Sequence, residues 1–463
     1  MKNNIKKGFY LVLSVAVVLL LISFIPKFKI GNKEFKRVDL LSDLKVSDGG
    51  DIDNPDGTDS TFVDDGGGTV VTDSASVVEP EKELITVPIG QLTPNGTIRI
   101  EDYGPMERCG LNGFVWSLKQ IGLKKNVRIA YYGDSFIEGD ILTGSLRDLL
   151  RERFGGKGVG YVDITSQVSG FRVTVKHKYG NWNSFAATER SGFDASKQGI
   201  AARYFTGTGN SFVELKGSKN GVALNRADKS TIYFVSRSSA VIASSINGEP
   251  QVKHQIEGSE SLQHITVEGD IESIRWSVLS APNAIFYGVT MDGTEGVVLD
   301  NLSMRSSSGY HLKGIPEQRL QEFNKARHYD LIVLEYGLNV AGKNQKNYST
   351  YKKNMIATIE HLKSAFPNTS FMLVSVSDRD YRASDGQMHT MPGVKALVEA
   401  QREIARECGI AFWDLYTAMG GDGSMAAMAK KGMANKDYTH INSKGGKKIA
   451  ELFYDAIMYE VER

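Results

Sequence analysis

The apolar positions of this chain follow two rhythms, and the first is interrupted once by the second. Residues 127–132 (VRIAYY) form a short apolar run that ends abruptly at Gly133, Asp134 and Ser135. A run of that length bounded by turn residues predicts a buried strand. Residues 141–154 place apolar side chains at 142, 146, 149, 150 and 154 with charged ones between, and Gly155 and Gly156 follow. That spacing predicts a helix with a glycine stop. A shorter amphipathic helix is predicted over 113–123. From about residue 160 to 284 the rhythm changes to short alternating runs at 171–175, 211–215, 231–235, 240–243, 264–267 and 271–278, separated by Gly, Asn, Asp and Ser clusters. This is the spacing of an all-β sandwich. The first rhythm then returns, with strands predicted at 296–304, 330–336, 370–376 and 410–413 and helices at 316–327, 348–366, 394–408 and 443–460. Strands alternating with helices predict a parallel sheet covered on both faces, with its site outside the carboxyl ends of the strands. The all-β stretch reads as a domain inserted between two halves of an α/β domain.

The N-terminal region has a different texture. Residues 9–25 are apolar apart from two serines, preceded by Lys2, Lys6 and Lys7 and followed by Pro26, Lys27, Phe28 and Lys29. The run is close to the minimum of about 17 residues for crossing a bilayer, and no small-residue cleavage site follows. An uncleaved transmembrane signal anchor is expected. Lys27, Lys29, Lys33, Lys36 and Arg37 lie beyond it, so flanking charge does not fix its orientation. Residues 46–81 hold eight aspartates and two glutamates and no lysine or arginine. Such a segment predicts a disordered, self-repelling tether. Asp51, Asp53 and Asp59 within it lack the closing glutamate of an EF-hand loop. The expected organisation is a cytoplasmic N-terminus at 1–8, the anchor at 9–25, the tether at 26–84, and the two α/β parts at 85–159 and 285–463 around the insert at 160–284.

Composition narrows the partners. A formal net charge of +1 on 463 residues, without a basic stripe, argues against nucleic acid. Cys109 and Cys408 belong to no Cys-x-x-Cys or Cys/His cluster, so no structural zinc is expected. Two unpaired thiols are expected rather than a disulfide.

Candidate chemistry collects at strand ends. Ser135 follows the first strand beside a helix start, where a serine hydroxyl stands clear of the sheet and its N–H faces a developing oxyanion. Ser306 lies in the turn after the second strand, and Asn339 follows the strand at 330–336. Asp437 and His440 lie in the loop before the last helix. Their D-x-x-H spacing lets the carboxylate fix the imidazole tautomer while the other ring nitrogen faces a serine. Singly these are common residues in turns and helix caps; together, in this order, they make a candidate nucleophilic site.

With these blocks the chain resembles the SGNH (GDSL-type) hydrolases. Gly133-Asp134-Ser135 matches the first block and Gly337-Leu338-Asn339 the third, although Val340 stands where an acid is usual. Asp437 and His440 match the fifth. The second block normally offers a glycine N–H, and its counterpart here is Ser306. The resemblance is closer to peptidoglycan O-acetylesterases with a carbohydrate-binding-like β-sandwich inserted after the first helix. It is carried by LRDLLRERFGGKGVGYV, GVVLDNLSMRSSSG, AFWDLYTAMGGDGSM and DYTHINSKGGKKIA, over about residues 113–463. It implies a three-layer flavodoxin-like α/β fold with a parallel sheet, interrupted by a jelly-roll-like β-sandwich. It also implies a serine esterase that removes O-acetyl groups from a cell-envelope glycan, namely N-acetylmuramic acid of peptidoglycan, through an acetyl-serine. Ser135 would be the nucleophile, His440 its base and Asp437 the orienting acid. Ser135, Ser306 and Asn339 would line the oxyanion hole, and no cofactor or metal would be needed. Tyr179, Trp182, Trp276 and Tyr287 are candidates for stacking on sugar rings, each with a competing place in a sandwich core. The implied protein is a monomer in the bacterial cell envelope, held to the inner membrane by residues 9–25 with its catalytic part outside the cytoplasm. Competing functions are an acetylesterase of xylan or capsule, an O-acetyltransferase, and a membrane-tethered glycan-binding protein with an inert hydrolase domain.

Overall fold

The computed structural model describes residues 91–104, 110–123, 126–189, 191–218 and 226–463, and the backbone of two short strands nearer the N-terminus. The chain divides into two compact units, Met1–Ala75 and Ser76–Arg463. In the first, β1 (Phe28–Ile30) and β2 (Lys33–Phe35) pair antiparallel. The apolar run 9–25, the acidic stretch 46–81 and Cys109 lie outside the described residues. Among the described residues no helix is long and apolar enough to cross a membrane, so the transmembrane helix of the expected fold is not found there. Cys408 is a buried free thiol.

The second unit begins with β3 (Glu101–Asp102), α1 (Asn112–Lys119), β4 (Asn126–Gly133) and α2 (Thr143–Phe154). There follow β5 (Gly158–Asp163), β6 (Val175–Ala186), β7 (Arg203–Gly217), β8 (Ala227–Val235), β9 (Ala240–Ile246), β10 (Val252–Ile256), β11 (Gln263–Ile271), β12 (Ser273–Ser280) and β13 (Ile285–Asp292). The chain then alternates again through β14 (Gly296–Ser303), α3 (Glu317–Arg327), β15 (Leu331–Glu335), α4 (Ser349–Ala365) and β16 (Ser370–Val374). A small hairpin, β17 (Asp380–Arg382) with β18 (Met388–Thr390), precedes α5 (Pro392–Cys408), β19 (Ala411–Trp413), α6 (Leu415–Met419), α7 (Ser424–Lys430) and α8 (Ser443–Glu462).

Six strands form the central sheet in the order β14-β4-β15-β16-β19-β3. Every residue of β15 and β16 is buried, as strands covered on both faces must be. The expected all-parallel sheet is corrected at one edge, where β3 pairs antiparallel with β19 and makes the sheet mixed. Two residues are too few to show alternation, and tertiary contacts hold β3 instead. Arg402 donates to Glu101 at 3.0 Å and to Asp414 at 2.6 Å, and Trp413 Nε1 donates to Ile98 O at 3.1 Å.

The insert is corrected more deeply. Instead of two sheets of a sandwich, one connected nine-stranded antiparallel sheet runs β10-β9-β12-β7-β13-β8-β11, with β5 on β13 and β6 on β7. The fifteen-residue β7 pairs with β6, β12 and β13 and so joins what alternation alone reads as separate sheets. Register shifts at 180/182, 268/271, 278/280, 286/288 and 291/292 bend the strands. The sheet thereby wraps a core of its own that includes Val159, Phe205, Phe234 and Phe286.

Two of the expected sugar platforms lie inside. Trp276 is 1% exposed and donates from Nε1 to Ser230 Oγ at 3.0 Å. Tyr287 is also 1% exposed, with its ring edge-on to Phe323. Neither offers a face to a ligand. Trp182 is half-buried, edge-on to Phe286, and donates to Phe212 O at 2.8 Å. Tyr179 is the one of the four with an exposed ring, and its hydroxyl donates to Ser166 O.

The insert and the central sheet meet at Arg327, which is fully buried. Its guanidinium bonds Asp292 at the end of β13 and Asp300 in β14, and Asp300 also accepts from Tyr161 N at 2.8 Å. Removing the arginine would strand two buried carboxylates, which is far costlier than losing a surface ion pair.

Candidate active site

Register brings the site together. Gly133, at the end of β4, is level with Ser303 of β14 on one side and Glu335 of β15 on the other. Three loops therefore leave the sheet at the same height: 134–137, 304–309 and 336–341. They lie where the strand order reverses, which is where sheets of this kind hold ligands. Gly133 has no room for a side chain, because a Cβ there would meet Ile137 at 2.8 Å and Glu335 O at 3.0 Å.

The turn after Gly133 is closed by Asp134, whose Oδ1 accepts from Phe136 N at 2.9 Å. This leaves Ser135 half-buried at the rim. Its Oγ is 3.0 Å from His440 Nε2. His440 comes from the loop before α8, where one carboxylate sets both backbone and ring. Asp437 Oδ1 accepts from the N–H groups of Thr439 and His440 at 3.0 and 3.1 Å, and Oδ2 lies 2.8 Å from His440 Nδ1. The loop is tied down by Asp380 N donating to Tyr438 O and Asn435 N donating to His440 O. With Nδ1–H on Asp437, Nε2 is left to accept the serine proton. Burial acts to raise the Asp437 carboxyl, but the His440 ring and the two N–H groups outweigh it and hold it at about 2. Asp437 is therefore ionised at neutral pH.

Asn339 and Ser306 reach the same place by other routes. Asn339 Nδ2 donates to Asp134 Oδ2 at 3.0 Å and to Ser307 O at 2.8 Å. Both amide hydrogens are thus engaged, and the group can serve an oxyanion only by yielding one of these acceptors. Ser306 is exposed between Met304, whose N–H donates to Gly133 O at 2.9 Å, and Ser307, whose N–H donates to Met304 O at 3.3 Å. It occupies the third position of that turn with φ +61°. This left-handed backbone is the one glycine adopts without strain, and a serine there costs roughly 1 kcal/mol or more. Ser306→Gly should accordingly raise stability by about 1 kcal/mol, read as an upward shift of Tm.

Two carboxyls under the site are unusual. Burial, aided by Glu138, raises Asp134 to about 6 against its hydrogen bonds from Phe136 and Asn339 and the field of His440. Burial, aided by Asp134, raises Glu335 to about 8, although Tyr131 OH donates to it at 2.5 Å. Between 4.5, the ordinary glutamate value, and about 8, the folded chain holds a proton that the unfolded chain has lost. Stability attributable to Glu335 must fall as pH rises through that window. The Tm of Glu335→Gln minus that of the wild type should therefore increase from pH 5 to pH 8 and then level off. A difference that is flat with pH would contradict the buried, protonated state.

Among the described residues no three His, Cys, Asp or Glu side chains cluster as metal ligands would. A serine hydroxyl facing an imidazole, itself fixed by a carboxylate, is the relay of nucleophilic acyl transfer. Residues 290–448 match the family model for the GDSL-like lipases and acylhydrolases.

That part of the chain is similar to the GDSL-like acylhydrolases.

The matched stretch includes Ser306, Asn339, Asp437 and His440 but not Ser135, which lies on the other side of the insert. The protein is a carboxylic ester hydrolase. Its fold is similar to that of a solved peptidoglycan O-acetylesterase, with a TM-score of 0.64 and 20% identity over 78% of this chain and 99% of that one. Looser likenesses are to a family two carbohydrate esterase from Clostridium thermocellum in complex with cellohexaose (TM-score 0.26, 9% identity, 55% of this chain and 93% of that one) and to an acetyl xylan esterase (0.27, 16%, 35% and 81%). No curated protein sequence matches the chain.

Sequence reasoning passed over Asp134 and Glu138. Asp134 links the Ser135 turn to Asn339, and Glu138 holds Arg305, next to Ser306, at 2.6 Å. Asp134 stood inside the quoted Gly133-Asp134-Ser135 block. What marks it is its burial, which strands distant in sequence supply.

Proposed function

We propose that this ester hydrolase removes O-acetyl groups from a cell-envelope glycan, with peptidoglycan acetylated on N-acetylmuramic acid as substrate. The observation that carries the reading is the Ser135–His440–Asp437 relay at the mouth of the central sheet. The likeness to a peptidoglycan O-acetylesterase over 99% of that chain supports the choice of glycan. Ser135 Oγ attacks the acetyl carbonyl carbon as its proton passes to His440 Nε2. The N–H groups of Ser135 and Ser306 and the Asn339 amide take the oxyanion, Asn339 giving up one present acceptor. Collapse expels the sugar alkoxide, which takes the proton from His440, and leaves acetyl-Ser135. Water, deprotonated by His440, then adds to the acetyl-enzyme and releases acetate. Such a substrate puts the reaction outside the cytoplasm.

The test is acetate release from O-acetylated peptidoglycan compared with acetylated xylan, using the full chain and Ser135→Ala. Faster release from peptidoglycan, lost in the variant, is expected. Preference for xylan would overturn the substrate, and release that survives Ser135→Ala would overturn the mechanism.

A further inference from the structure

A groove lies between the chain that follows the Ser135 turn and the chain that flanks His440. One wall is the chain after the serine: Gly139, Asp140 and the first turns of α2, with Ser145 and Asp148. The other is the chain around His440, with Asn435, Ile441 and Ser443. Phe171 and Val173 of the insert close it. The groove holds about 420 Å³, within the ~300–1,000 Å³ of small-ligand sites.

We infer that this groove is a subsite for a neutral pyranose unit of the glycan, neighbouring the acetylated sugar, with Phe171 as its stacking face. The choice of a glycan rests on the proposed function. Phe171 and Val173 are 49% and 50% exposed, and they belong to a segment that is held in place. Arg172 pairs with Asp140 at 2.8 Å, and Thr174 Oγ1 donates to the same carboxylate at 2.5 Å. Asp140 is also bound by Arg147 from α2, so the insert is pinned to the segment that follows the nucleophile. The Phe171 ring rests on bare backbone, since a Cβ on Gly139 would meet it at 2.7 Å. A half-exposed aromatic ring braced from behind is suited to lie against the apolar face of a sugar.

The polar groups fit the rim of such a ring. Ser145, Asp148 and Asn435 line the groove and present a hydroxyl, a carboxylate and an amide to sugar hydroxyls and an N-acetyl group. Asp148 repels an anionic ligand, and the cations Arg147 and Arg172 are turned onto Asp140 and do not line the groove. This argues for a neutral sugar.

The test titrates unacetylated chitotetraose into the full chain, read by calorimetry, so that no ester chemistry is involved. Binding is expected, weakened about tenfold by Phe171→Ala and abolished by Ser145→Trp, which fills the groove; unchanged melting of both variants shows that they fold. No binding by the wild type at millimolar ligand would overturn the inference, as would equal affinity in all three proteins. Acetate release is scored separately. A chain that binds through Phe171 but frees no acetate from peptidoglycan keeps the subsite and sinks the proposed reaction. A chain that frees acetate yet binds independently of Phe171 does the reverse.

Discussion

Ser135→Ala should lower kcat for ester hydrolysis by at least about ten-thousandfold, and adding His440→Ala to it should cost almost nothing more. The reason is that the pair acts as one device. The hydroxyl becomes a nucleophile only as its proton leaves for Nε2, 3.0 Å away, and the imidazole has no work to do without it. What survives in either variant is catalysis by binding and oxyanion donors, on the order of a thousandfold over water in comparable relays. Asp437→Ala should be milder: it removes the tautomer lock at Nδ1 and the acceptor of the Thr439 and His440 N–H groups, but His440 O still accepts from Asn435 N and Nε2 still faces Ser135. The measurement is kcat on p-nitrophenyl acetate for the two single variants and the double. Losses that multiply would mean that the two side chains do not act together, and the relay would have to be abandoned.

How much of this was legible follows from what each feature depends on. Ser135, Asn339 and His440 were readable because each stands just after an apolar run or just before a helical one, and strand ends are local signals. The expected strands at 330–336 and 370–376 appear as β15 and β16 for the same reason. The insert was harder. β6 was not anticipated, because its residues KHKYGNWNSF are wetted along most of their length and show no apolar alternation. The side of the insert on which Trp276 and Tyr287 lie could not be read, since alternation separates two faces but does not say which one a curling sheet turns inward. The curling of the sheet depends on where β7 changes partner, and that is a property of several strands at once. Asp134 and Glu335 look like ordinary acids in the sequence. They become buried, raised carboxyls only when β4 and β15, about 200 positions apart, are set side by side.

Asn339→Ala should lower kcat about a hundredfold and leave KM nearly unchanged. An oxyanion donor acts on charge that exists only in the transition state, so its loss, roughly 3 kcal/mol, appears in kcat alone. This structure adds a condition. The Asn339 amide is held between Asp134 Oδ2 and Ser307 O, and the same Asp134 carboxylate holds the backbone of the nucleophile turn through Phe136 N–H. Asp134 is therefore a positioning residue that registers the donor against the serine. Asp134→Ala should lose part of the same hundredfold, and the double variant should be little worse than Asn339→Ala by itself. Groups that share one hydrogen-bonded network couple in this way, whereas independent groups give losses that multiply. Measuring kcat and KM for both single variants and the double on one ester decides it. A rise in KM with kcat intact would place Asn339 in ground-state binding and remove it from the oxyanion hole. A multiplicative double loss would leave Asn339 there but sever it from Asp134, since a carboxylate 3.0 Å from the amide can be silent in the cycle only if it does not hold the amide during the reaction.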